Sequence, residues 1–345
     1  MAFTTIDDPS AYFNTKLYTG NGSSGTALTT GTFQPDFCWF KNRGTAENSV
    51  LINAINGASF NLSSNLNRAE TDVSAKVSAF TSTGVTLGSN AETNENSQPL
   101  VAWTWKANGS GSANTVGVID STVSVNATSG FTIVKWVATD ENTTIGHGLG
   151  VAPKVIIVKS TTVTQPWIMG HGSLGFTKNL YLNQTDAENT SSTMWVNTAP
   201  TSTVFTTGTN DNVAQNGETF IAYCFSEVQG FSKFGSYIGN GNADGPFIHT
   251  GFKPAFLLIK NATDTENWYI LDNKRPGYNT NNYYILPSTA GAEGTSTTLA
   301  TSLLSNGFKI NNADTSMNTS GKTYVYMAFA ESPFVTSTGI PTTAR

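Results

Sequence analysis

Hydrophobic positions come in short runs along this chain, separated by polar stretches rich in Gly, Asn, Ser and Thr. Runs such as DFCWF (36–40), KVIIV (154–158) and AFLLI (255–259) are typical. Short runs rich in Val, Ile, Phe, Tyr and Trp and bounded by turn residues predict β-strands. These three are almost wholly apolar, so each is predicted to be covered on both faces. No segment sustains the i, i+3, i+4, i+7 spacing of an amphipathic helix. The best helical candidate is residues 64–78 (SNLNRAETDVSAKVS), where one or two turns at most are expected. The apolar runs fall well short of the ~20 residues a membrane-spanning helix needs, so no membrane insertion is expected.

The runs recur in a fixed order, three times over. Each unit opens with an aromatic (Tyr18, Trp136, Tyr237) and reaches a proline seventeen residues later (Pro35, Pro153, Pro254). A lysine stands six residues further on (Lys41, Lys159, Lys260), at the end of the apolar strand. An Ala-Glu pair follows, its glutamate (Glu70, Glu188, Glu293) lying 35, 35 and 39 residues after the proline. A closing strand ends the unit (VAWTW, IAYCF, VYMAF), its last aromatic 70, 72 and 75 residues after the proline. Eight residues past the lysine the second and third units carry Trp167 and Trp268; the first carries Ser49. Fixed-order repetition on this scale signals a repeat architecture. The chain therefore reads as all-β: three tandem sandwich-like modules of about 100 residues with little helix. The boundaries fall at 1–112 (with an N-terminal arm), 113–230 and 231–345 (with a polar tail ending in Arg345). Residues 107–116 (ANGSGSANTV) read as the first linker.

Composition narrows the function. Only 12% of residues are charged, against about 25% in an average soluble protein. Thr (52), Asn (35) and Ser (33) supply 120 of the 345 residues, so hydroxyls and amides carry the solubility. A net charge of −5 leaves no basic footprint for nucleic acid. The opening MAFTTIDDPS shows no secretory-signal pattern, so synthesis in a reducing cytoplasm is expected. Cys38 and Cys224 sit in apolar runs and read as buried thiols rather than a disulfide framework or zinc site.

Catalytic signatures are missing: no HExxH, GxSxG or Walker pattern occurs. His147, His171 and His249 read as turn or surface residues. Asp264, Glu266 and Asp272 are close enough in sequence to suggest paired carboxylates, but a solvated loop explains the first two. Asp272, Lys274 and Arg275 read as local ion pairs, or as a contact for an anion or partner. The repeated glutamates read as structural, because repeats hold structural residues in register while a catalytic residue need occur only once. The lysines read as snorkelling over the core from strand ends. NGNADG (240–245) is a poor calcium loop and reads as a turn. No metal or cofactor is expected. The ligand candidates are Trp167 and Trp268, which could stack on sugar rings, with Asp272 reading hydroxyls. The competing reading of both tryptophans is core, since each begins an apolar strand.

Several phrases resemble a repeat module of tailed-phage virion proteins, especially of marine phages: YTGNG (18–22), GFSKFGSY (230–237), GFKPAFLLIK (251–260), WYILDNKRPGYN (268–279) and YMAFAE (326–331). The resemblance covers nearly the whole chain and implies a structural protein on a virion, with no catalytic residue to carry over. The expected function is a non-enzymatic tail or tail-fibre component that mediates virion assembly with other virion proteins, attachment to host-surface polysaccharide, or both, as a homo-oligomer. A capsid decoration (cement) protein is the first alternative, and a glycan-binding lectin or depolymerase the second.

Overall fold

The computed structural model describes residues 3–275 and 279–342. The resemblance stretch 268–279 thus runs partly outside the described residues, as does Arg345. The architecture is all-β, with antiparallel strand pairing throughout the main sheets. Each unit builds one main sheet in a common order: opening strand, closing strand, post-proline strand, then the strand at the Ser49/Trp167/Trp268 position. In the first unit these are Phe13–Thr19, Pro99–Trp105, Phe37–Asn42 and Val50–Asn53. In the second they are Phe131–Val137, Thr219–Phe225, Val155–Ser160 and Ile168–His171, and in the third Ser232–Ile238, Thr323–Pro333, Phe252–Asn261 and Trp268–Asp272.

Strand alternation explains why the post-proline strands are buried at every position and apolar up to their closing lysine. Phe37 and Trp39, with Val155 and Ile157, face one core shared by all three units. Cys38 and Phe40 face a separate core under the first unit's small sheet, and Ile156 and Val158 face the corresponding core of the second. Those small sheets (Thr26–Thr29, Gly84–Leu87 and Val77–Thr81; Thr143–Gly146 and Val204–Thr207) complete a sandwich on the outer face. Both cysteines are buried free thiols. The modules are therefore not beads on a string: their inner faces meet. The last aromatics of the three closing strands form a triangle, with centroids 6.4 Å (Trp105–Phe225), 5.6 Å (Trp105–Phe329) and 5.7 Å (Phe225–Phe329) apart.

Two expectations need correcting. Residues 64–78 are not helical; they hold the short strand Thr71–Asp72 and the start of Val77–Thr81. The helical turns lie instead before each closing strand, at Ala91–Asn94, Asp211–Ala214 and Thr315–Asn318. Each is capped by a side-chain oxygen, from Asn90, Asn210 or Asp314, that accepts a backbone N–H two residues on. Four residues are too few to leave a periodic signal. Residues 107–116 are not a free linker either. Asp36 accepts from Ala107 N (2.7 Å) and Gly109 N (3.1 Å), and Ser112–Asn114 pairs with Ser121–Asn126, extending the second main sheet.

The Gly-Asn-Gly turns are held from inside. Asn94 and Asn318, both fully buried, receive the N–H groups of Asn21 (2.9 Å) and Asn240 (2.8 Å). At Gly20 and Gly239 a Cβ would lie 2.1 and 2.2 Å from a carbonyl oxygen, so only glycine fits. The Asn240 side-chain oxygen accepts from Asn242 N and Asn318 Nδ2, which fixes 240–245 as a turn. Among the described residues, no helix is long and apolar enough to cross a membrane.

Candidate functional site

The repeated polar landmarks converge on the joints between modules. Lys41 Nζ donates to Ala290 O (2.8 Å), Lys159 Nζ to Asn67 O (3.2 Å) and Lys260 Nζ to Thr185 O (3.1 Å). In every case the acceptor lies three residues before the repeated glutamate of another module. The glutamates answer in kind: Glu70 N donates to Thr161 O (2.9 Å), Glu188 N to Ala262 O (2.7 Å) and Glu293 N to Arg43 O (3.0 Å). Those acceptors stand two residues after the lysines. First joins second, second joins third, and third joins first, so the three joints close a ring.

The lysines do not snorkel. All three are fully buried, with Nζ turned onto backbone carbonyls. Burial lowers the Lys159 amine to about 7 and the Lys41 and Lys260 amines to about 8. The glutamate carboxylates differ from joint to joint: Glu70 accepts from Asn56 Nδ2 (2.7 Å), Glu188 pairs with Lys178, and Glu293 forks onto Arg43 (3.0 and 2.7 Å).

The ligand candidates Trp167, Trp268 and Asp272 lie in the interior, each at most 1% exposed. A sugar cannot stack on them, so the core reading replaces the glycan one. Their polar atoms serve the same ring. Trp167 Nε1 donates to Ser63 O and Trp268 Nε1 to Tyr181 O, both at 2.9 Å and both across a joint. At the third joint the position is Ser49, and Ser64 Oγ donates to Pro287 O (2.7 Å).

Four residues further on stand Asn53, His171 and Asp272, equivalent in place and different in chemistry. Asn53 Nδ2 donates to Tyr223 OH (3.4 Å), His171 meets Tyr326 O (3.2 Å), and Asp272 accepts from Trp103 Nε1 (3.1 Å). Each thus reaches the closing strand of the next module. Asp272 also takes Arg275 Nε (2.7 Å), and Arg275 Nη1 continues to Glu293 (3.2 Å). The Asp272–Arg275 pair is therefore a buried structural link rather than an anion or partner contact.

The histidines need a correction as well. His147 and His171 are buried, and only His249 is exposed. Ser173 N donates to His171 Nδ1, so the ring carries its proton on Nε2 toward Tyr326 O. Burial holds His171 down to about 4 and lowers His147 too. A base whose folded pKa is depressed binds its proton more readily in the unfolded chain. Stability is therefore lost as pH falls from about 6.5 toward 4. That difference corresponds to about 3 kcal/mol for His171 alone. His171→Asn, which installs the first module's side chain, is expected to flatten much of that decline in urea titrations between pH 7 and 4.5. An unchanged pH profile would remove His171 from the account.

Among the described residues, no group of three or more His, Cys, Asp or Glu side chains comes together to hold a metal ion. The open surface is carried mainly by hydroxyl and amide side chains, with exposed valines at Val116, Val118 and Val151 of the second module. Fold and joints together define an all-β protein of three sandwich modules locked head to tail through buried lysines and aromatics and the backbone N–H groups of half-buried glutamates. The chain belongs to the family described as Domain of unknown function (DUF7483), whose model matches residues 8–333. No curated protein and no solved structure matches it.

Proposed function

We propose that this chain is a non-enzymatic structural component of a tailed-phage virion, in the tail or its fibres, that serves virion assembly with other virion proteins, host-surface attachment, or both. The observation that carries the reading is where the repeated polar residues go. Lysine, glutamate and tryptophan landmarks are all engaged in holding modules together, which suits a particle part that must persist as one rigid body. The low-charge surface of hydroxyls and amides suits extensive hydrogen-bonded contact, and the sequence resemblance supplies the virion. Immunogold or cryo-EM localisation on purified particles is expected to place the protein at the tail. Finding it only inside the capsid or in infected cytoplasm would overturn the proposal.

The closed ring of three equivalent joints favours a second reading, a capsid decoration protein seated on a local threefold position of the shell. Copy number separates the two, since a cement protein covers the shell and a tail part does not. Glycan cleavage by the purified protein would favour the depolymerase alternative over both.

A further inference from the structure

The first module holds one buried constellation that the ring does not use. Lys76, Asn61 and Glu92 meet between the main sheet and its small sheet, at 5%, 0% and 8% exposure. Lys76 Nζ lies 2.9 Å from Asn61 Oδ1, against the side-chain amide, and is ion-paired with Glu92 Oε2. The amide nitrogen is held on Thr71 O (2.8 Å) and Ser59 O (3.2 Å), while Asn48 Nδ2 steadies the other glutamate oxygen (3.0 Å). A nucleophilic amine, an amide carbon and a proton carrier are thus packed together out of water.

We propose that Lys76 and Asn61 join in an intramolecular isopeptide bond, formed once after folding, with Glu92 as the proton shuttle. The lysine ammonium first gives a proton to the Glu92 carboxylate. The freed Nζ lone pair attacks Asn61 Cγ, forming the new N–C bond. Glu92 relays a proton from Nζ to Nδ2, the Cγ–Nδ2 bond breaks, and the nitrogen departs as ammonia. The ammonia takes the remaining proton and leaves as ammonium. Glu92 ends as it began, and no oxidant or cofactor is needed. Holding reactants in contact replaces an encounter between separate molecules, and a positioned carboxyl accelerates the proton transfers. Burial lowers the Lys76 amine below its ordinary value, which favours the neutral nucleophile.

The repeat supplies an independent argument. Asn61 pairs with the residue after Glu70, and Asn179 with the residue after Glu188, so the two asparagines are equivalent. Gly88 N donates to Lys76 O as Gly208 N does to Met194 O, which sets Met194 in the place of Lys76. Glu92 and Asn212 likewise occupy the same site in their capped turns. The second module therefore keeps the asparagine without amine or carboxylate, and its Asn179 Nδ2 is buried without a partner. A feature needed for the fold would recur; the complete set occurs in one module. The bond would close the loop 62–75, which carries the Ser63, Asn67 and Glu70 contacts to the second module.

The test is mass spectrometry of the purified full chain. The intact protein is expected to be lighter than its sequence by one ammonia. A tryptic digest should yield one branched fragment joining residues 44–68 to 69–106, with no cleavage at Lys76. Glu92→Gln is expected to restore the full mass and the cleavage, and Lys76→Met, which copies the second module, to abolish the branch. Far-UV circular dichroism and a cooperative melt report the folding of each variant. A folded wild type of full sequence mass would overturn the proposal. So would an ammonia loss mapped to an Asn-Gly pair as a succinimide, or a branch that persists in folded Glu92→Gln.

Discussion

Replacing Trp105 by alanine is expected to weaken all three modules at once, by about 3–5 kcal/mol, the usual cost of deleting a large buried aromatic. Trp105 belongs to the first module by sequence, yet its ring packs against Phe225 of the second and Phe256 (5.7 Å) and Phe329 of the third. Phe13 (5.0 Å) and Phe37 (5.2 Å) complete its surroundings from its own sheet. A hole at this point removes contacts from every inner sheet face. The wild type is therefore expected to unfold in one transition, and Trp105→Ala in one transition at lower urea. Far-UV circular dichroism and tryptophan fluorescence should give coincident curves. A variant curve that splits, with one third of the signal lost early, would show that the modules unfold independently.

Asp272→Ala is expected to cost a comparable ~3–5 kcal/mol, because it strands a buried charge. The Asp272 carboxylate takes Arg275 Nε and Trp103 Nε1, and its other oxygen takes the backbone N–H groups of Lys274 and Arg275 (both 3.0 Å). Arg275 is 1% exposed, so water cannot replace the lost partner. Its remaining anion, Glu293, is already forked onto Arg43. Asp272→Asn keeps one acceptor oxygen for the backbone N–H groups, as Asn53 Oδ1 accepts from Asn56 N in the first module, but none for Trp103 Nε1, and should cost less than alanine because the turn is still held. Urea denaturation of the two variants at pH 7.5 gives the comparison. Equal small losses would mean that Arg275 relaxes onto Glu293 alone. Once folded, neither variant is expected to change retention on host polysaccharide, since the position is closed to a sugar.

The periodic content of the sequence carried most of the architecture. Short β-rich runs placed the strands, and all-apolar runs correctly marked strands with two covered faces. Chemistry at single positions was harder to read. Trp167 and Trp268 sit beside polar loops, as a sugar platform would, and only the neighbouring module's carbonyl at Ser63 or Tyr181 shows why an indole N–H is tolerated inside. The buried lysines were misread for the same reason. A lysine at the end of a strand is normally wet, and nothing local reveals three acceptors supplied from elsewhere in the chain. The triad of Lys76, Asn61 and Glu92 leaves one trace in the sequence: Lys76 and Glu92 lack counterparts in the other two units.

By itself, the sequence determined that this protein is all-β, that its frame recurs three times, and that few of its residues are charged. Those properties follow from local rules, since alternation, turn residues and spacing act within tens of residues. Only the tertiary structure decided that the three units share one aromatic core and close head to tail. That outcome depends on hydrogen bonds between residues as far apart as Lys41 and Ala290. A buried ammonium is tolerable only where carbonyls converge on it, and convergence is a property of the assembled ring rather than of any unit. The repeated lysine and glutamate therefore look like separate landmarks along the chain and are, in space, the two sides of one joint.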